Sequence, residues 1–237
     1  MNASAGRVFE VSGMAIDLDG TLLDTVHDLA AAVNALLVDW GHDPLPVERI
    51  RGFVGKGMVN LVRRALGECR GVSAEAIEEI EAAEALAGYQ AHYHAMLGRH
   101  TQMYEGVREG LARFKEMGLP LAIITNKASR FVRPHLVQAG IADYFDLVLG
   151  AEDLPVKKPD PGPLLHVARA FGVPPARLLM VGDSINDAQA ARAAGCPVLI
   201  VPYGYNEGLP VQSLDADGIV PSLRAVADCI RPVPVSR

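Results

Sequence analysis

Residues 13–25 read GMAIDLDGTLLDT and place a short apolar run directly before a cluster of acidic residues and a glycine. The run 14–16 is apolar at every position, which is typical of a strand covered on both faces. Asp17, Asp19 and Gly20 follow it at once. This stretch therefore predicts a buried strand that delivers two carboxylates to one edge of a sheet.

Four further apolar runs of the same kind occur later in the chain, at 121–124, 147–149, 178–181 and 198–201. Helical patterns separate several of them, and these end at Gly118, Gly140 and Gly172, where glycine can take the left-handed conformation that closes a helix. Strands that alternate with helices favour a parallel sheet. We predict an α/β fold with a Rossmann-like parallel sheet flanked by helices.

The stretch between the first strand and residue 100 breaks this alternation and is predicted to be an inserted all-helical cap domain. Apolar residues recur at helical spacing from Val26 to Trp40, and Met58 to Cys69 reads as a second helix. The stretch from Ser73, a predicted N-cap, to Met96 reads as one or two further helices. The predicted domains are a hydrolase core of residues 1–24 and 100–237 and a helical cap of residues 25–99.

Composition limits the partners of the protein. The 237 residues are 50% hydrophobic, which is ample for buried cores, and the net charge of −6 comes without any Lys/Arg-rich run. Nucleic acid and anionic membranes are therefore disfavoured as main partners, and a small phosphorylated metabolite is favoured once the motifs below are considered. The sequence is compatible with a monomer or a homodimer.

Cysteine usage and the chain start indicate a cytoplasmic protein. Three widely spaced cysteines suggest neither a disulfide framework nor a zinc site. The first residues lack a basic start followed by an apolar stretch, as a secretory signal would need, and no apolar run approaches the roughly 20 residues of a membrane span.

The residues that follow the predicted strands carry the chemistry. They are DLDGTLLDT at 17–25, TNK at 125–127, KKPDPGP at 157–163 and GDSIND at 182–187. Ligands of an open parallel sheet bind beyond the carboxyl ends of its strands, so these motifs should meet in one crevice. Carboxylates suit Mg²⁺, and lysines with small hydroxyl or amide donors suit a phosphoryl group.

Asp17 and Asp19 are two residues apart, so both side chains fall on the same side if the extended conformation persists. One carboxylate can then attack phosphorus while the other transfers protons. Each motif also has a simpler reading, as a turn after a strand or as a helix cap. Spacing alone does not choose between Lys157 and Lys158. The Gly55–Gly57 loop is either a helix–helix turn or a loop whose Lys56 contacts a substrate carboxylate.

With these motifs in order, the sequence resembles the haloacid dehalogenase-like phosphatases, whose signature DxDGT is matched by residues 17–21. The resemblance covers essentially the whole chain. It implies Asp17 as nucleophile and Asp19 as general acid/base, and a mobile cap that excludes water. It further implies Mg²⁺ held by the Asp17 side chain, the Asp19 backbone carbonyl and Asp183, with Asp187 supporting the hydration shell. The implied phosphoryl-binding residues are Gly20, Thr125, Asn126 and Lys158.

Within the family, the longer motifs are similar to those of the branch that hydrolyses 2-phosphoglycolate to glycolate and phosphate through an aspartyl-phosphate. These motifs are TNK, KKPDPGPLL, GDSINDAQAARAAGCP and, at 203–208, YGYNEG. The same framework serves a pyrophosphatase, a sugar-phosphate phosphatase or a phosphomutase, which remain alternatives. A non-catalytic phosphate-responsive module is a distant alternative, since it would need neither an inserted cap nor Asp19.

Overall fold

The computed structural model of the protein describes residues 8–234. Its strands are β1 (Phe9–Val11), β2 (Gly13–Ile16), β3 (Leu23–Asp24), β4 (Gln102–Met103), β5 (Leu121–Ile124), β6 (Leu147–Leu149), β7 (Leu178–Gly182), β8 (Val198–Ile200), β9 (Gly218–Ile219) and β10 (Ile230–Pro232). Its α-helices are α1 (Val26–Asp39), α2 (Val47–Arg51), α3 (Met58–Arg70), α4 (Glu79–Met96), α5 (Val107–Glu116), α6 (Ser129–Gln138), α7 (Gly162–Phe171), α8 (Ile185–Ala194) and α9 (Leu223–Val226).

The central sheet has six strands in the order β6-β5-β2-β7-β8-β9, and all neighbouring pairs are parallel. The prediction of a parallel α/β sheet is therefore confirmed. Strand β2 lies in the middle, with Ile16 in register with Ile123 of β5 and Val181 of β7. After β6 the chain returns to the other side of β2, which creates the crevice where such sheets bind ligands.

Both faces of the sheet are buried, because side chains alternate between two apolar clusters along each strand. Met14 and Ile16 point into the cluster that contains α5 and α9, whereas Ala15 belongs to the cluster that contains α7 and α8. Helices therefore cover both faces of the sheet, whereas its carboxyl edge is the place where functional side chains can meet a ligand.

The cap is helical and joins the core through a short two-stranded connection. Between residues 25 and 99, all of which the structure describes, regular structure consists of α1 to α4 and one 3-10 turn. Strands β3 and β4 pair antiparallel, so the chain leaves and re-enters the core at neighbouring points. Helices α1, α3 and α4 bury an apolar cluster of the cap, which Phe131 and Tyr205 of the core also join.

The predicted N-cap at Ser73 is wrong for the long cap helix, which begins at Glu79. Ser73 instead precedes the 3-10 turn Ala74–Ala76 and makes no side-chain cap hydrogen bond there. Ile77 is extended and only 3% exposed. The stretch 73–96, predicted to be one or two helices, thus contains one 3-10 turn and one α-helix. None of the helices within residues 8–234 combines the length and apolar character that crossing a membrane requires.

Candidate active site

Strand β2 delivers Asp17 to the centre of the carboxyl edge. Its backbone N–H donates to the Val181 carbonyl at 3.0 Å, which extends the sheet by one residue and fixes the side chain above it. The buried carboxylate accepts a hydrogen bond from Lys158 Nζ at 2.7 Å. Burial raises the pKa of Asp17 to about 6, against the opposing effect of Lys158. The carboxylate is thus buried and paired with the Lys158 ammonium group.

The structure distinguishes the two adjacent lysines. Lys158 is buried and its Nζ also donates to Asp187 Oδ1 at 2.6 Å, whereas Lys157 is exposed and donates to the Lys56 carbonyl at 3.2 Å. Burial alone would lower the pKa of Lys158, but Asp17 and Asp187 outweigh that effect and raise it. Lys158 is therefore a fixed positive charge beside Asp17.

The loop after β7 uses its polar residues for two purposes. Ser184 and Asp187 form a capping box that starts α8, and Asp187 Oδ2 accepts from the Ser184 N–H at 3.1 Å and the Asp183 N–H at 3.2 Å. The simple helix-cap interpretation is thus right for Ser184. Both carboxylate oxygens of Asp187 are thus engaged, Oδ1 by Lys158 and Oδ2 by the Asp183 and Ser184 N–H groups.

Asp183 faces Asp17 across the crevice. Carboxylate oxygens of Asp17, Asp183 and Asp187 all lie within 4.8 Å of one another. Asp183 Oδ1 accepts from Thr21 Oγ1 at 2.8 Å, and burial together with the Asp17 charge raises the pKa of Asp183 well above its usual value. Buried carboxylates that repel one another and present hard oxygen atoms are a donor set that fits Mg²⁺.

Gly20 is required beside this acidic cluster. Its φ of +91° lies in the left-handed region, and a Cβ added there would come within 2.4 Å of Asp183 Oδ2. Any side chain would displace the carboxylate. The glycine of the DLDGT motif therefore lets the backbone of the first loop approach Asp183 closely.

Strand β5 places Thr125 and Asn126 on the other side of Asp17. Both side chains are buried and line the same cavity. Thr125 Oγ1 accepts from the Lys127 N–H at 3.2 Å, and Asn126 Nδ2 donates to the Lys158 carbonyl at 2.8 Å and to the Gly55 carbonyl at 3.1 Å. Asn126 thus fixes both the Lys158 loop and the cap loop, in addition to facing the cavity.

Two residues of the quoted motifs have no role predicted from the sequence, yet each contacts an acidic residue of the site. Lys127, the third residue of TNK, donates to Asp19 Oδ1 at 3.0 Å and Oδ2 at 3.1 Å. The Tyr205 hydroxyl accepts from the Thr25 N–H at 2.7 Å at the start of the cap, while the Tyr205 N–H donates to Asp183. Their position in motifs at the carboxyl edge was the only signal that could have indicated them.

The cap closes the cavity with apolar side chains and glycine backbone. The cap residues that line the cavity are Leu29, Val54, Gly55, Gly57, Met58 and Leu61. Lys56 is not among the residues that line the cavity, because its Nζ lies 3.1 Å from Glu207 in an ion pair at the rim. The expectation that Lys56 contacts the substrate is therefore not supported by this arrangement.

A parallel sheet with acidic, lysine and hydroxyl groups converging at its carboxyl edge under a helical cap defines a hydrolase of the phosphoryl-transfer type. The chain belongs to the haloacid dehalogenase-like hydrolase family, whose model matches residues 14–201.

Relatives in this family are similar over nearly the whole chain. A phosphoglycolate phosphatase of Thiobacillus denitrificans is 49% identical over 218 residues, covering 92% of this chain and 94% of its own. A phosphoglycolate phosphatase of Neisseria meningitidis is 41% identical over 235 residues, covering 98% of this chain and 97% of its own. The crystal structure of a "predicted phosphoglycolate phosphatase" from Haemophilus somnus superimposes with a TM-score of 0.86 at 31% identity, covering 92% of this chain and 97% of that one.

Proposed function

We propose that this protein is a Mg²⁺-dependent phosphatase that hydrolyses 2-phosphoglycolate to glycolate and phosphate. The observation that carries the chemistry is the convergence of Asp17, Lys158 and Asp183 in one buried cavity. The substrate is supported by the relatives at 41 to 49% identity that bear the name phosphoglycolate phosphatase.

The reaction proceeds in two displacements at phosphorus. An Asp17 carboxylate oxygen attacks the phosphorus atom while the bond to the substrate's alcohol oxygen breaks, and Asp19 gives that oxygen a proton. Asp19, now a carboxylate, then takes a proton from the water that attacks the aspartyl-phosphate, and Asp17 is released. Thr125 and Asn126 bind phosphoryl oxygens, and Lys158 offsets the repulsion between the phosphate and Asp17.

The residues that would hold Mg²⁺ are the Asp17 and Asp183 carboxylates, with the Asp19 backbone carbonyl. The ion supplies Lewis-acid stabilisation of the transferring group when bound. Asp187 and Gly20 keep Asp183 and its backbone in place for this purpose.

The cap restricts the leaving group. Leu29, Val54, Met58 and Leu61 of the cap line the cavity, so bulk water is restricted and a small alcohol is favoured over a bulky one. Closure is fixed by core donors, since Asn126 and Asn186 both reach the Gly55 carbonyl.

Phosphate release from a substrate panel tests the proposal. The panel contains 2-phosphoglycolate, pyrophosphate, glucose 6-phosphate, glucose 1-phosphate with and without its bisphosphate activator, and adenosine monophosphate, each with Mg²⁺ and with EDTA. We expect kcat/KM for 2-phosphoglycolate to exceed the others by at least about 10²-fold, because cavity contacts made in the transition state set discrimination. Preference for another ester would overturn the substrate, and EDTA-resistant turnover would overturn the metal dependence.

Mg²⁺ should raise the melting temperature more strongly at pH 7.5 than at pH 5. The raised pKa of Asp17, about 6, means that the folded protein without metal holds this proton more tightly than the unfolded chain does. The contribution of Asp17 to stability therefore falls as the pH rises from about 4 to 6, and Mg²⁺ binding, which needs the carboxylate, reverses this loss.

At a concentration about 100-fold above its Kd, Mg²⁺ should raise Tm by roughly 5 to 10 °C at pH 7.5. Differential scanning calorimetry at both pH values measures the effect, with Asp183→Asn as the variant that should lose it. An equal shift at both pH values, or an undiminished shift in Asp183→Asn, would contradict the assignment of the acidic cluster as the Mg²⁺ site.

A further inference from the structure

Lys127 is a buried ammonium group whose partners come from both domains. Its side chain is 1% exposed, and its Nζ contacts the two carboxylate oxygens of Asp19 at 3.0 and 3.1 Å. The remaining partner is the hydroxyl of Tyr93, to which Lys127 also donates, and the ammonium lies 4.8 Å from the centroid of the Tyr93 ring. A buried cation of this kind is stable only where every donor has a partner.

Tyr93 belongs to the cap, whereas Lys127 and Asp19 belong to the core. Tyr93 lies on α4, is fully buried, and stacks on Tyr89 with the two ring centroids 5.7 Å apart. Its other side meets Phe131 of α6 edge-on at 5.1 Å. These ring contacts fix the hydroxyl, so the position of the Lys127 ammonium depends on a side chain that the cap supplies.

The surroundings leave Lys127 as the cation that pairs with Asp19. Burial and the nearby Lys127 charge lower the pKa of His135 to about 4, so that this ring is neutral at pH 7. His135 instead shares a hydrogen bond with Thr101 Oγ1 at 2.9 Å, next to the connection between cap and core. Burial raises the pKa of Tyr93 well above its usual value, so its hydroxyl stays uncharged.

We propose that Tyr93 and Lys127 are positioning residues that orient the Asp19 carboxyl group for proton transfer, so that the acid step depends on the cap. The inference rests on the proposed phosphatase chemistry and adds a cap-borne element to it. Asp19 gives its proton to the alcohol oxygen as the bond from phosphorus to that oxygen breaks, and the carboxylate that remains is held by Lys127. Tyr93 holds Lys127 in turn.

The test compares two substrates whose leaving groups differ in their need for a proton. The alcohol of 2-phosphoglycolate must be protonated as it departs, whereas p-nitrophenolate departs from p-nitrophenyl phosphate without help. The ratio kcat/KM reports the steps up to departure of the leaving group, so hydrolysis of the aspartyl-phosphate does not obscure the comparison.

For 2-phosphoglycolate we expect kcat/KM to fall about 10-fold in Tyr93→Phe and about 10²-fold in Lys127→Met. Neither loss should exceed the roughly 10² to 10⁴-fold that acid catalysis contributes in full. For p-nitrophenyl phosphate, kcat/KM of the same two variants should fall less than about threefold. Asp19→Asn, which removes the acid itself, is the benchmark and should show the same small loss on this substrate. Lys127→Arg should recover part of the activity on 2-phosphoglycolate.

Tyr89→Phe is the matched control, because Tyr89 is equally buried on the same helix and its hydroxyl has no hydrogen-bond partner within residues 8–234. It should leave both substrates unchanged. Equal losses on both substrates in Tyr93→Phe, or no loss on either, would overturn the inference. If wild-type protein prefers another alkyl phosphate, only the proposed substrate fails and the comparison is made with that ester; a wild type inactive on every ester overturns both.

Discussion

The Asp17→Asn variant is expected to lose phosphatase activity by at least about 10⁴-fold, because the amide cannot attack phosphorus and no other carboxylate occupies its place. Asp19 is paired with Lys127, Asp187 is engaged by Lys158 and the capping box, and Asp183 is held by Thr21 and Tyr205. Steady-state phosphate release in Mg²⁺ measures the loss.

The same substitution should leave the fold intact. Ionisation of Asp17 is opposed by burial, so an amide at this position removes a penalty at pH 7, while Lys158 keeps Asp187 as its partner. We expect the Tm of the metal-free variant to equal or exceed that of wild type. Asp215→Asn, an exposed carboxylate paired with Arg192, is the control and should keep full activity. Turnover by Asp17→Asn above about 1% of wild type would contradict the nucleophile assignment.

The sequence predicts the sheet and the placement of its motifs because these depend on local patterns. The five predicted core strands agree with the structure to within one residue at each end. Short runs that are apolar at every position must be covered on both faces, and the carboxyl ends of parallel strands share one edge. Asp17, Thr125 and Asp183 therefore meet as expected, since each directly follows its strand.

The sequence pattern does not determine which side chains, far apart along the chain, pair in the folded protein. Asp19 and Lys127 are 108 residues apart, and their contact depends on how β2 and β5 are placed and how the cap covers them. Lys56 turns to Glu207, 151 residues away, because that carboxylate lies at the rim opposite the cap loop.

Substitution of Lys158, the buried one of the two adjacent lysines, gives the second large expected effect. Lys158→Met should lower kcat/KM by about 10³ to 10⁵-fold, the range associated with a cation that stabilises a transferring phosphoryl group. It also leaves Asp17 and Asp187 buried without their shared ammonium partner. Removing one member of a buried ion pair typically costs about 3 to 5 kcal/mol, so the free energy of unfolding should fall by a similar amount.

Lys157→Met is the matched control, since it removes the same charge one residue away. Its ammonium donates to the Lys56 carbonyl at the cap loop and is exposed, so activity should fall less than about 10-fold and stability should barely change. Phosphate release and urea unfolding of the two variants, measured in parallel, make the comparison. Similar losses in both would mean that positive charge near the loop matters rather than the buried contact with Asp17, and the role assigned to Lys158 would then be wrong.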